Sequence, residues 1–346
     1  MSKKAMSKKA MSNSMQVGSD GVDSNESMQA VVYEAYGSAE VLKVADRPVP
    51  RRKPNQVLIE VWAASVNPID YRLRSGEMRW LLPGGFPRIP GYDVAGVVAQ
   101  CPEDGPFVPG DRVMAFLNLV YGGAFAEYAV CSVDVAAKIP DQMTMQQAAA
   151  IPLAGTTALQ SLRDHGRLQR GERVLINGAS GGVGAFAVEI AKSYDCHVTA
   201  VASGRNEAFC ESLGADCFYD YRQTEFTELG EHWDVIFDAA GKSGYLQSRK
   251  ALNPKGRFVS TEPDLGGILM SALTWPLSKS GKVMLAQAKA ADLQTLIQLY
   301  ESGDLSVTID SQYALSEANA AHQRIEKGVD RGKVVVVIRS AGDDSR

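Results

Sequence analysis

The chain holds 346 residues, 45% of them hydrophobic, enough for one large core or two ordinary ones, and two domains are expected. A net charge of −4 supplies no basic field for nucleic acid, no block of like charge suggests a membrane surface, and no apolar run reaches the roughly 18 residues that span a bilayer. The five cysteines, at 101, 131, 196, 210 and 217, form no C-x-x-C pair, so reduced thiols are expected rather than disulfides or a zinc cluster.

Residues 1–27 repeat MSKKA at Met1 and Met6 and then become Ser-, Asn- and Asp-rich. Such a stretch buries too little apolar surface to offset its ordering entropy, so a disordered extension is expected. It has no hydrophobic signal core, lacks arginine and carries acids, which makes the cytoplasm the default compartment. The folded body starts at Met28. Strands are predicted at 29–36, 41–46, 57–62, 94–100, 112–116 and 125–131, separated by turns such as Pro90-Gly91, Pro109-Gly110 and Gly122-Gly123. Many short strands with that punctuation indicate a small β-barrel.

From Thr144 the pattern changes. Residues 148–162 read as a helix interrupted by Pro152 and Gly155, and strands at 173–176, 197–202, 217–219, 234–238 and 257–261 alternate with helices. That alternation indicates an α/β fold with a parallel, doubly wound sheet. An amphipathic helix at 293–300, strands near 306–309 and 333–339, and a helix near 317–326 complete the chain.

Residues 172–206 organise the α/β half. The strand at 173–176 runs into Gly178-Ala179-Ser180-Gly181-Gly182-Val183-Gly184. A helix follows whose Val183, Phe186, Ala187, Ile190, Ala191 and Tyr194 share one face. Gly181 lets the backbone approach a pyrophosphate, Gly184 lets the helix pack on the strand, and the helix N-terminus favours the anion. The plainer alternative is a tight turn whose glycines serve only positive φ; strand, turn, helix and second strand in register favour the cofactor. The second strand ends Ser203-Gly204-Arg205-Asn206, with no acid at its tip to accept from a ribose 2′-hydroxyl. Ser203 and Arg205 can instead donate to a 2′-phosphate, so NADPH is expected over NADH. The alternative for Arg205 is a solvated surface charge.

The NGASGGVG turn resembles that of the medium-chain dehydrogenase/reductase superfamily, in its zinc-free, zeta-crystallin-like quinone oxidoreductase branch. The resemblance covers roughly residues 28–340. It implies a GroES-like β-barrel catalytic domain at 28–150, a Rossmann NADPH-binding domain at 151–286, a return to the catalytic domain at 287–346, and a homodimer. It also implies cofactor roles for Thr157 near the nicotinamide and Tyr221 beside the 2′-phosphate. Ala240 and Gly241, in Asp238-Ala239-Ala240-Gly241, end a strand at the sheet's carboxyl edge, where dinucleotides lie. Lys333 is near the cofactor in some relatives and is otherwise a solvated charge.

Zinc members of the superfamily carry a Cys early in the barrel, then Gly-His-Glu, and a four-cysteine lobe. Here Asn67 stands at the first position, in Asn67-Pro68-Ile69-Asp70, and Tyr92 replaces the histidine in Pro90-Gly91-Tyr92-Asp93. None of the histidines, at 165, 197, 232 and 322, falls near these stretches. No metal site is expected without thiolate or imidazole ligands. Hydride transfer to an already electrophilic acceptor needs only orientation and oxyanion stabilisation. Asn67, Tyr71 and Tyr92 are the candidate donors by motif position, with Asp70 orienting them. Asn67-Pro68-x-Asp70 reads equally well as a helix start, with Asn as N-cap and Pro at the first position. In Arg74-Ser75-Gly76-Glu77-Met78, methionine stands where enoyl-thioester reductases keep a proton-donating tyrosine. Met78 and Trp80 line an acceptor pocket or fill core.

The reading is an NADPH-dependent, zinc-independent reductase of quinones or α,β-unsaturated carbonyls, with no nucleic-acid or membrane partner. One alternative is an enoyl-thioester or alkenal reductase, which needs a long, basic-rimmed acyl groove that the sequence does not display. Another is a non-catalytic, crystallin-like NADPH-binding protein. Pocket walls are expected to include 265–276.

Overall fold

The computed structural model describes residues 26–81, 85–117, 122–262 and 279–340; most of the expected N-terminal extension and the 265–276 loop lie outside the described residues. The barrel half opens with an antiparallel pair, β1 (Ser27–Val32) and β2 (Lys43–Pro48). Its axis is the long strand β3 (Gln56–Val66), flanked by β4 (Asp93–Gln100) and followed along the chain by β5 (Arg112–Phe116), β6 (Tyr128–Ser132) and β7 (Ala136–Lys138). Val57, Ile59, Val61, Val94, Val98, Val113 and Ala115 fill its core, the period-2 pattern that made these strands legible. Helix α1 (Pro68–Arg74) leaves the end of β3.

The expected helix at 148–162 is two helices, α2 (Met145–Ala150) and α3 (Pro152–Gln160), with a wider turn over Ser161–His165. Pro152 has no N–H to continue α2 and is well placed to start α3. Thr144 and Gln147 cap α2 reciprocally.

Six parallel strands follow: β8 (Arg173–Asn177), β9 (His197–Ala202), β10 (Cys217–Asp220), β11 (Trp233–Asp238), β12 (Leu252–Ser260) and β13 (Ser280–Val283). Their spatial order, β10-β9-β8-β11-β12-β13, reverses direction between β8 and β11. That is the dinucleotide-binding topology, with its crevice at the switch point. Helix α4 (Gly182–Ser193) buries Phe186, Ala187, Ile190 and Ala191, the face read from the sequence. Helices α5 (Glu207–Ser212) and α6 (Tyr245–Ser248) complete the connections.

Helix α7 (Ala290–Ser302) lies on α3, with Leu293 and Leu296 fully buried. Strand β14 (Ile309–Ala314) and helix α8 (Ala318–Glu326) lead to β15 (Lys333–Val337). The tail strands join the barrel sheet, in the order β14-β15-β3-β4-β5-β7 with β6 also on β3. The strand expected at 306–309 begins only at Ile309. Residues 306–308 have other partners: the Ser306 amide donates to the Glu189 carboxylate at 3.1 Å, and the Thr308 carbonyl accepts from the Lys333 amide at 3.0 Å. Strands β7 and β13, three and four residues long, are too short to carry a periodicity signal. No helix among the described residues is long and apolar enough to cross a membrane.

Candidate active site

The C-terminal tail brings the two halves together at one point. Gly332 donates its amide to the Ser180 carbonyl at 3.2 Å and forms a parallel bridge with Gly181, so β15 docks against the glycine turn as it enters the barrel. Lys333 is therefore 4% exposed rather than a solvated charge. Its stem crosses Gly182, where an added Cβ would meet Lys333 Cδ at 2.7 Å. Its ammonium donates to Asn67 Oδ1 and lies 3.8 Å from Asp93 Oδ2.

Asp93, which sequence reasoning quoted but gave no role, is the hub of this cluster. Its Oδ2 accepts from Ser65 Oγ at 2.6 Å and from Asn67 Nδ2 at 2.8 Å, while its Oδ1 accepts from the Leu153 amide at 2.8 Å in the first turn of α3. Burial pushes its carboxyl pKa up, and the Lys333 charge and these donors oppose the rise. Burial pushes the Lys333 ammonium pKa down, opposed by Asp93 and Asp70. The signal available in the sequence was an acid directly after the tyrosine that replaces a metal ligand.

The two readings of Asn67-Pro68-x-Asp70 divide between two residues. Asp70 caps α1, its Oδ2 accepting from the Asn67 backbone amide at 2.6 Å, and its Oδ1 accepts from Gly91 N at 3.1 Å. The Asn67 side chain leaves the cap. Its amide is held at both ends by Lys333 and Asp93, and among the described residues one of its two N–H donors has no partner. Asp70 is buried and its pKa is raised to about 7, chiefly by desolvation. Because the folded value lies above the unfolded one, its contribution to stability is complete below about pH 4 and is lost as pH rises through 7. Asp70→Asn should remove that dependence. The variant should gain on the parent between pH 5 and pH 8 by at most on the order of 3 kcal/mol, read from urea midpoints. A parent that gains on the variant over that range would show that the Asn67 and Gly91 amides fully compensate the carboxylate.

Tyr92 lies in an apolar cluster with Leu73, Met78 and Phe116, packed by Leu153, and burial raises its phenol pKa. Met78 belongs to this wall. Trp80, expected beside it, is 73% exposed and fills neither core nor pocket. Tyr71 is half-buried on α1 and, like Tyr92, is not among the described residues that line the cofactor cleft.

The cleft, about 380 Å³, runs from Asn67, Leu153 and Lys333 over the glycine turn to Ser203, Arg205 and Tyr221. Ser180, Gly181, Gly182, Val183, Gly184, Asn206 and Ala240 line it as expected. Ala179 is fully buried beneath the turn. Gly178, not Ala179, adopts φ +85, and a Cβ there would meet Ala240 Cβ at 2.8 Å. Two expected residues lie off the lining. Thr157 donates its hydroxyl to the Leu153 carbonyl at 2.7 Å, one helical turn behind Leu153. Gly241 (φ +64) faces Glu262 instead.

Glu262 forms a forked ion pair with Arg72, at 2.9 and 3.2 Å, that ties α1 to the end of β12. At the other end of the cleft Arg205 pairs with Asp330, while Asn206 joins Ser180 Oγ (3.0 Å), the Asp330 carbonyl (3.1 Å) and Arg331 Nε (2.9 Å). Arg331 was missed, because it reaches this end only through the β15 docking. The residues fit a dinucleotide on two observations. Glycines occupy positions where a side chain would block the turn, and among the described residues the buried Ser203 Oγ has no hydrogen-bond partner. Among the described residues no group of three or more His, Cys, Asp or Glu side chains could hold a metal ion.

Comparison with known proteins agrees with this geometry. An alcohol dehydrogenase GroES-like domain model matches residues 53–141, and a zinc-binding dehydrogenase model matches residues 213–336. The chloroplastic quinone-oxidoreductase QR1 of Triphysaria versicolor is 36% identical over 323 residues, covering 89% of this chain and 98% of that protein. The structure of the quinone oxidoreductase from Coxiella burnetii matches with a TM-score of 0.84 at 33% identity, over 91% of this chain and 100% of that chain. The structure of mycobacterial Rv1454c complexed with NADPH matches with a TM-score of 0.76 at 25% identity, over 90% of this chain and 100% of that chain.

Proposed function

Because this chain belongs to the medium-chain dehydrogenase/reductase superfamily, in its quinone oxidoreductase branch, we propose that it is an NADPH-dependent, zinc-independent reductase of quinones or α,β-unsaturated carbonyls. The observation that carries the reading is the Asn67–Asp93–Lys333 cluster at the end of the cleft where the glycine turn meets the barrel. It sets a buried ammonium against the side chain of Asn67, the residue that by the resemblance stands at the first metal-ligand position of zinc relatives.

Bound NADPH would supply the hydride. The residues from Gly178 to Gly184 would cradle its pyrophosphate against the N-terminus of α4. Ser203 Oγ and the Arg205 guanidinium would take a 2′-phosphate, and Tyr221, 55% exposed at the cleft edge, would cover it. As negative charge develops on the acceptor oxygen, the second N–H of Asn67 and the Lys333 ammonium are the donors at hand. Lys333 Nζ holds a proton that this oxygen can take, and its lowered pKa favours the transfer. Asp93 keeps the ammonium and the amide in place and balances the charge.

The test follows oxidation of NADPH and NADH with an ortho-quinone and a simple enone. Turnover with NADPH well above that with NADH is expected. Ser203→Asp should lower kcat/KM for NADPH roughly a hundredfold, the size of one lost charge-assisted hydrogen bond with added repulsion, and should affect NADH far less. Equal loss with both cofactors would remove the 2′-phosphate assignment. Absence of turnover with either acceptor would remove the reductase.

A further inference from the structure

A second cavity, a groove of about 840 Å³, crosses the barrel face beyond the cleft. That volume is in the range of sites that enclose whole organic ligands. Its inner end is apolar and borders the cluster that holds Tyr92. Phe116 and Leu117 line it, Phe116 packs in the Tyr92–Met78 cluster, and the Leu117 amide donates to the Tyr92 carbonyl at 2.7 Å. Ala286 and Ala288 line the groove and pack on the same cluster, as does Leu153, which also lines the cofactor cleft. The groove and the cleft therefore border the same apolar cluster.

Its outer end has the opposite character. Arg47, Arg51 and Lys53 line it, and among the described residues the groove lining includes no aspartate or glutamate. In a chain with a net charge of −4, three cations with no acid among them are a local exception. Among the described residues neither Arg51 nor Lys53 forms an ion pair, and Arg47 meets only the exposed Glu34 at 3.5 Å. Between the two ends runs β6, with Tyr128, Val130 and Ser132 on its half-buried side.

We infer that this groove binds the apolar body of an amphiphile, with the ligand's anionic group at Arg47, Arg51 and Lys53 and its far end against Phe116 and Leu117. The ligand's role as acceptor rests on the reductase reading; its binding does not. The anion is a carboxylate at the end of an acyl chain or the phosphates of a carrier thioester, and both present the same chemistry to these cations. The basic-rimmed groove that a thioester or long-chain acceptor requires is thus present, although no local sequence pattern shows it. Its cations lie at the end of β2 and in the segment after it, and its apolar floor comes from β5, β6 and the approach to α7.

The test uses calorimetry on the full chain with dodecanoate, dodecanoyl-coenzyme A and dodecanol. None of them has a reducible alkene, so the result is independent of turnover. At least one of the two anions should bind more tightly than dodecanol, and the tighter anion identifies the source. An Arg51→Glu/Lys53→Glu double variant should weaken that anion about tenfold, equivalent to 1.4 kcal/mol, and leave dodecanol unchanged. Val130→Trp, which fills the groove from β6, should weaken the anions and dodecanol together. Equal binding of anion and alcohol in parent and charge variant would overturn the inference, as would unchanged binding to Val130→Trp. Failure of the reductase reading would appear separately, as no reduction of quinone or enone by a protein that still binds these amphiphiles.

Discussion

Lys333→Met should lower kcat/KM for a quinone by about two to three orders of magnitude, the scale set by loss of one preorganised donor to a developing oxyanion. The loss has two sources that one further variant separates. Removing the ammonium deletes the charged donor, and it also leaves Asp93 fully buried with its counter-charge gone. Breaking a buried pair from one side costs about 3–5 kcal/mol, so the single variant should be clearly less stable in urea. Lys333→Met with Asp93→Asn removes both charges and should recover most of that stability. It should not recover activity, because the ammonium is still missing and Asn67 is no longer held between two charged partners. Activity restored in the double variant would assign Lys333 a purely structural role. A fully active single variant would remove the cluster from the mechanism altogether.

That experiment also marks where the sequence stopped being readable. The glycine turn, the α4 face and most strands were legible because each is a short-range pattern: period 2 for β3 and β4, period 3.6 for α4, and a glycine run between strand and helix. The active cluster is long-range. Lys333 meets Asn67 across 266 residues, and Asp93 meets the Leu153 amide across 60. The first contact exists only because β15 returns to the barrel beside β3 after passing the glycine turn, and the second because α3 packs against β4. A lysine in Gly-Lys-Val-Val reads locally as a solvated charge, and nothing within ten residues indicates otherwise. Asn67-Pro68-x-Asp70 shows the intermediate case. The motif correctly announced a helix start, but the three-dimensional partners decided that Asp70 makes the cap and Asn67 is free for the site. Trp80 failed for the reverse reason: its neighbourhood suggested a pocket wall, and the fold turned it outward.

The glycine turn permits a sharper separation of fold from function. A Cβ at Gly184 would stand 2.0 Å from the Gly178 carbonyl oxygen, a backbone atom that cannot yield without moving α4 off β8. Gly184→Ala should therefore cost the fold at least about 3 kcal/mol, the upper range for overpacking, and weaken NADPH binding by a hundredfold or more. Gly181 is different. Its φ of −73° suits any residue, and a Cβ there would meet only the Gly178 oxygen, at 3.5 Å. Gly181→Ala should cost no more than about 1 kcal/mol, the preference for glycine over alanine at an N-cap. If a pyrophosphate approaches the backbone here, the same methyl group should still lower NADPH affinity at least about tenfold, because it occupies the space of the phosphate oxygens. The pair is read by thermal melting and by quenching of NADPH fluorescence. A Gly181→Ala protein that is stable and binds NADPH normally would mean that the glycines serve the turn alone. Loss of binding without loss of stability would place the ligand, rather than the chain, as the reason Gly181 has no side chain.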